Sequence, residues 1–316
     1  MSRDEEFAMT LVRSLVVLAC IALLTPSPAA ARTDAPARPY VLVLGIAQDG
    51  GIPQAGCRKS CCTSGRHETV ASLALVEPAA HRWWLFDATP DFTAQLARVA
   101  AEAPACSLAG IFLTHAHMGH YTGLMNLGRE AMGAHDVPVW AMPRMTEFLS
   151  RNGPWDQLVS LHNIALKPLQ ADTTVTLSDS LNVTPFLVPH RDEYSETVGY
   201  RIASNRGVVV FVPDIDKWER WDRKVELLVA HVNAAYVDGT FFDDHELPGR
   251  DISKIPHPYI VESLERFASL PDAARARIHF IHLNHTNRAT IAGTAERKRV
   301  EAAGLRVARA GERTEL

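Results

Sequence analysis

Three histidines fall within six residues at His115-Ala116-His117-Met118-Gly119-His120, and further ligand types stand at His190, Asp214 and His282. Imidazole and carboxylate are the side chains that hold zinc, and also iron or manganese in mixed nitrogen–oxygen sites. His115 and His117, two apart, face one side of an extended segment, and the glycine between them and His120 permits a tight turn back to the same point. Taken alone, His190 or His282 reads as a satisfied polar residue; taken together, the pattern predicts a metal site. A metal there lowers the pKa of a bound water from about 15.7 to about 7, which yields hydroxide at neutral pH. Asp214 would orient that hydroxide toward an electrophilic phosphorus or carbonyl carbon.

The elements that must position these residues are short apolar runs rich in Val, Ile, Phe and Trp, which read as buried strands. They are Tyr40–Leu44, Trp83–Phe86, Ile111–Leu113, Val183–Val188, Val208–Val212 and Ile278–Ile281. Four of them run into a ligand type at the C-terminal end: His115, His190, Asp214 and His282. Strand ends are where a rigid scaffold holds functional loops. Helices are expected over Phe92–Ala101, Leu124–Met132, Trp218–Val229, Tyr259–Ala268 and Ala295–Ala303. Interleaved strands and helices predict an α/β or α+β fold, with sheets covered by helices.

The chain has 316 residues, 47% hydrophobic and 22% charged, the composition of a folded globular protein. Its formal charge of −4 gives no broad basic surface for nucleic acid. Residues 1–31 read as a secretory leader: Arg13, an apolar Leu15–Leu24 core too short for a helix crossing the bilayer, and Ala29-Ala30-Ala31 before the cut. Residues 32–39 form a flexible lead-in and 40–316 one domain. The expected product is periplasmic or secreted, without stable membrane insertion, acting on a small molecule; homodimerisation is left open.

The His115–His120 run resembles the His-x-His-x-Asp-His signature of the metallo-β-lactamase fold superfamily, with His190, Asp214 and His282 matching its later ligands in order. The runs Leu44–Gln54, Asp238–Phe242 and His282–Asn287 are similar, more specifically, to the pyrroloquinoline quinone biosynthesis protein B family. The resemblance implies an αβ/βα four-layer sandwich with one or two zinc ions in a cleft at one edge of the sheets. It implies His115, His117 and His190 at the first metal, Asp214 bridging, and His120 and His282 at the second. The signature aspartate is Gly119 here, so a weakened second position, open to iron or manganese, is expected; Asp49, after the first strand, is a replacement of low weight. The implied activity is metal-dependent hydrolysis of a phosphodiester or an ester or lactone. The alternatives are an iron-dependent oxidoreductase in quinone cofactor biosynthesis and a binding protein on the same scaffold.

Two further groups follow from the resemblance. His257, ahead of a predicted helix, is similar in placement to the ribonuclease Z histidine that serves as general acid, with Asp238 to orient it. Cys57, Cys61 and Cys62 resemble a cysteine cluster that holds a structural zinc in relatives. His245 or His67 is the expected fourth ligand, and a disulfide involving Cys106 is the competing reading.

Overall fold

The computed structural model describes residues 38–247, 249, 251 and 255–316, so the leader and most of the lead-in lie outside the described residues. In chain order the strands are β1 (Tyr40–Gly45), β2 (Ser72–Glu77), β3 (Arg82–Phe86), β4 (Ser107–Phe112), β5 (Val137–Ala141), β6 (Ile164–Pro168) and β7 (Val175–Thr176). They continue as β8 (Leu181–Leu187), β9 (Val198–Ser204), β10 (Val208–Val212), β11 (Ala234–Asp238), β12 (Ile278–Ile281), β13 (Arg306–Val307) and β14 (Arg313–Glu315). They form two seven-stranded sheets, ordered β14-β1-β2-β3-β4-β5-β6 and β13-β12-β11-β10-β9-β8-β7.

Each sheet is antiparallel in one half and parallel in the other: β3 through β6 run parallel, as do β10 through β13. A parallel pair needs a crossover, usually helical. The helices Phe92–Glu102, Pro143–Arg151 and Trp155–Ser160 supply it in the first sheet, and Val225–Val229, Ile260–Phe267 and Ala295–Ala302 in the second. The C-terminal ends of parallel strands share one edge, so the residues that follow β3, β4, β10, β11 and β12 gather there. That is the topological reason for the site.

Alternation along the strands sorts the core. Val41 and Val43 face the second sheet, whereas Tyr40, Leu42 and Leu44 pack with the helix residues Phe92 and Val99. Between the sheets, Phe86 stacks on Phe112 at 5.1 Å and Tyr200 meets Phe112 edge-on at 5.6 Å. The result is the αβ/βα sandwich that the resemblance implies. Among the described residues no helix is long and apolar enough to cross a membrane.

Two helix expectations change. Leu124–Met132 is not an α-helix: Thr122–Leu127 is a 3-10 turn that ends at Gly128. Gly123 lies against the Ala88–Thr89 backbone so closely that a β-carbon would sit 2.2 Å from the Thr89 carbonyl oxygen, which holds the segment in that tight path. Trp218–Val229 divides into a 3-10 turn, Trp218–Arg220, and a short helix, Val225–Val229, because Trp221 is extended.

Candidate metal centre

The six residues expected as ligands come together at the shared strand edge. His115 follows β4, and His117 is the extended residue that opens a short helix, Met118–Tyr121, whose first turn carries His120. His190 follows β8, Asp214 follows β10, and His282 follows β12 with φ at 61°. Histidine enters the left-handed region more readily than most residues, as His81 and His162 also do, and here it turns the chain at the strand end.

One focus is formed by His115 Nε2, His117 Nδ1, His190 Nε2 and Asp214 Oδ2. His115 Nε2 lies 2.9 Å from His117 Nδ1 and 3.4 Å from Asp214 Oδ2, and His190 Nε2 lies 3.2 Å from both of those atoms. A second focus is formed by His120 Nε2, His282 Nε2 and Asp49 Oδ1. Asp49 Oδ1 is 3.4 Å from His120 Nε2 and 3.7 Å from His282 Nε2, and Asp214 Oδ2 reaches to 3.8 Å from His120 Nε2. Donors about 2.1 Å from a common tetrahedral ion stand about 3.4 Å apart. Both groups have that spacing.

The hydrogen-bond network fixes which nitrogen of each ring faces inward. His120 Nδ1 meets Asp87 Oδ2 at 2.7 Å, His190 Nδ1 meets Asp216 at 3.3 Å and His117 Nε2 meets Glu193 at 3.0 Å. A carboxylate only accepts, so each of these nitrogens carries the proton. Thr114 Oγ1 donates to Asp87, so it accepts from His115 Nδ1 at 2.9 Å. Thr240 Oγ1 donates to Asp238 and accepts from His282 Nδ1 at 3.0 Å in the same way. In all five imidazoles the outward nitrogen is thus a donor, and the inward nitrogen is the one that can bind a metal once it holds no proton. Inward nitrogens as close as 2.9 Å are held together by a cation between them, a proton or a metal ion. Metal-ligating histidines are ordinarily oriented by such outer partners.

Polar atoms without partners tell the same story. His120 Nε2, His282 Nε2 and Asp49 Oδ1 are cut off from solvent and make no hydrogen bond. Buried polar atoms are rarely left so. The donor set, nitrogen and carboxylate oxygen at tetrahedral spacing, fits zinc or another divalent ion of the first transition row. Burial would raise the Asp214 pKa, but His190, His257 and His282 around it hold it well below the usual carboxylate range. Burial and the charge of neighbouring His120 push the His115 pKa down. Against the lowering by burial, Asp87 and Asp49 raise His120 to about 10 and Asp214 and Asp216 raise His190 to about 9, protons that a bound metal would displace.

His257 is buried beside this cleft, with Nδ1 2.9 Å from Asp238 Oδ2 and 3.2 Å from Asp214 Oδ1. Its burial lowers the pKa, yet the Asp238 and Asp214 carboxylates prevail and hold it well above the ordinary imidazole value. The structure thus sets His257 against Asp238, the partner expected from the sequence. Tyr121, next to the signature, packs on Phe148 and Trp155 in the core.

Sequence reasoning missed Asp87 and Asp216 as orienting carboxylates. Asp87 directly follows β3, where the strand-end rule that singled out His115 and Asp214 would have found it.

A separate cluster unites Cys57, Cys61, Cys62 and His285, whose ligand atoms all lie within 4.8 Å of one another. Cys61 and Cys62 sulfurs are 3.9 Å apart, near the spacing of about 3.8 Å expected of two thiolates on one tetrahedral zinc. The fourth member is His285, not His245 or His67; the His245 side chain is 89% exposed and pairs with Asp244. His285 lies three residues past His282, because the chain doubles back there as Leu283 pairs with Ile46 and Gln48 on the loop after β1. Cys57, Cys61, Cys62 and Cys106 are all free thiols.

Beside this cluster, Glu246 accepts from the Phe242 amide at 2.7 Å and from Thr286 Oγ1 at 2.5 Å. Burial outweighs both bonds and lifts its pKa from 4.5 to about 7. A carboxyl group whose folded pKa is raised favours the folded state at low pH, and that advantage is lost as pH rises through the folded value. Stability should therefore fall by on the order of 2–3 kcal/mol between about pH 4.5 and pH 7 through this group alone. In Glu246→Gln that component should vanish, read as a flatter difference in urea midpoint from pH 5 to pH 8.

The comparisons with known proteins agree with this geometry. Residues 82–283 match the family model described as the beta-lactamase superfamily domain. The chain is 28% identical over 302 residues to coenzyme PQQ synthesis protein B of Methylorubrum populi, covering 86% of this chain and 98% of the relative. Among solved structures, the Zn(2+)-bound PqqB of Methylobacterium extorquens superposes with a TM-score of 0.73 at 25% identity, over 88% of this chain and all of that one. A diphosphatase of the PhnP family shares the fold at a TM-score of 0.63 and 20% identity, over 89% of this chain and 98% of that one.

Proposed function

The chain belongs to the beta-lactamase superfamily, and from that premise we propose that it is a metal-dependent hydrolase of a small phosphodiester, ester or lactone. The single observation that carries this reading is the convergence of five inward-facing imidazole nitrogens and two carboxylates on two adjoining foci at one sheet edge. His115, His117, His190 and Asp214 would hold one ion, and His120, His282 and Asp214 the other. Bound there, the ions would polarise the scissile group and bring a water to reactive pKa. Zinc suits both positions, with iron or manganese as alternatives at the second.

The protein's own residues do the rest. Asp214 presents Oδ2 to the ligand histidines and Oδ1 to His257, so one carboxylate joins ion binding to proton handling. Asp238 fixes the His257 ring by accepting from Nδ1, and is itself held by Thr240 and by the Ile215 amide. His257 then stands where it can pass a proton to the leaving oxygen. Asp87 and Thr114 hold His120 and His115 in the tautomers that face inward.

The negative net charge favours a small substrate over a polyanion whose backbone rewards basic surface. We also propose export of the chain by its leader, tested by sequencing the N-terminus of protein recovered from the periplasm. The likeness to PQQ synthesis proteins over nearly their full length supports one other reading, an iron-dependent oxidoreductase. Zinc-loaded protein should cleave a member of a chromogenic panel of phosphodiesters, lactones and β-lactams. Failure on the whole panel, with oxygen consumption by the anaerobically iron-loaded protein, would replace the hydrolase with the oxidoreductase.

A further inference from the structure

We propose that Asp49 is the carboxylate of the second metal position, supplied from the loop after β1 in place of the aspartate that the family signature carries at position 119. The inference rests on the two-ion reading above and deepens it. Position 119 is on the short helix that carries His120, and a glycine there leaves that helix without a carboxylate. The space is filled from another part of the chain. A β-carbon on Gly119 would lie 2.1 Å from Asp49 Oδ1, 2.9 Å from its Cγ and 2.6 Å from its Cα. One place in the cleft thus admits one carboxylate, either from residue 119 or from residue 49.

Asp49 is aimed for the task. Its side chain is 42% exposed as a whole, yet Oδ1 is cut off from solvent, without a hydrogen bond, between His120 Nε2 and His282 Nε2. Those two nitrogens are likewise buried and without partners. The loop is anchored so that Asp49 reaches this point: the Gln48 amide donates to the Leu283 carbonyl at 2.9 Å, and the Leu283 amide donates to the Ile46 carbonyl at 2.8 Å. Leu283 is the neighbour of His282, so backbone pairing brings the two ligands into register. Gly51, at φ 67°, lets the loop fold back to close on the Gln48 carbonyl at 2.8 Å. The second position therefore has three converging donors, His120, His282 and Asp49, with Asp214 Oδ2 3.8 Å from His120 Nε2 at its border, and the glycine at 119 is what admits Asp49.

The test is metal retention by the full chain, counted by elemental analysis after gel filtration and by chelator competition with zinc. Wild type should hold two cleft ions in addition to the thiolate-cluster ion. The isosteric Asp49→Asn should lose one cleft ion, with affinity for it reduced by more than the ~10–100-fold typical of an orienting partner. Retention of the other cleft ion and of the thiolate-cluster ion reports an intact fold. Gly119→Ala should imitate Asp49→Ala by displacing that side chain, and the double variant Asp49→Ala/Gly119→Ala should be no weaker than either single one, because both remove one interaction. Two cleft ions held by Asp49→Asn at wild-type affinity, or additive losses in the double variant, would overturn the assignment of Asp49. A wild type that holds fewer than two cleft ions would overturn the two-ion reading, and this inference with it.

Discussion

Asp214→Asn is expected to cost this protein more than any other single substitution in the cleft. Its Oδ2 lies within 3.2 to 4.0 Å of the inward nitrogens of His190, His115, His120 and His117, so it belongs to the first focus and borders the second. Asparagine keeps the shape and removes the charge, leaving five neutral rings to hold divalent cations with one fewer anion. Affinity for both ions should fall by more than about 100-fold, beyond what loss of an orienting partner costs. Turnover should drop by at least about a thousandfold, the kinetic equivalent of the several kcal/mol that a metal supplies to a charged transition state. An ion at the Cys57, Cys61, Cys62 and His285 cluster would be held by other residues, so its retention would distinguish a lost cleft from a lost fold. A variant that retains both cleft ions through dialysis would remove Asp214 from its shared position.

The parts of this centre that were legible in the sequence share one property: an apolar strand delivers them directly. Val208–Val212 leads to Asp214 and Ile278–Ile281 to His282, so the strand reading also locates the ligand. Asp87 satisfies the same condition after Trp83–Phe86, but an aspartate after a strand also reads as a turn residue. Only the parallel pairing of β3 with β4, a long-range fact, brings it under His120. Asp49 was harder still. Its place opposite Gly119 depends on pairing between the loop after β1 and Leu283, more than two hundred positions away, and no local pattern encodes that. His285, three residues past His282, reads from its position as another group at the same strand end. The turn after His282 carries it away from the cleft to the cysteines, and a left-handed backbone at a histidine is not something its residue type announces. The Leu124–Met132 segment has helical apolar spacing, and the close approach of Gly123 to Thr89 overrides it.

His257 gives the second large effect, and one that separates proton transfer from ion binding. Its Nδ1 is engaged by Asp238 and Asp214, and it is absent from both foci that Asp214 serves through Oδ2. His257→Ala should therefore leave the cleft ions in place while lowering kcat by about 10²–10⁴-fold, the range for loss of a positioned general acid. The loss should depend on the leaving group. A substrate that departs as a nitrophenolate needs little protonation, so the variant should act on it almost as wild type does, whereas an alkoxide leaving group should show the full deficit. Asp238→Asn should follow the same pattern more weakly, since it removes the charge and one of the two accepting oxygens that orient His257 and leaves the ring itself. An equal loss on both kinds of substrate would make His257 a packing residue, and a loss of cleft metal in His257→Ala would make it a ligand. The leaving-group dependence is the quantity to measure, because neither of those roles would produce it.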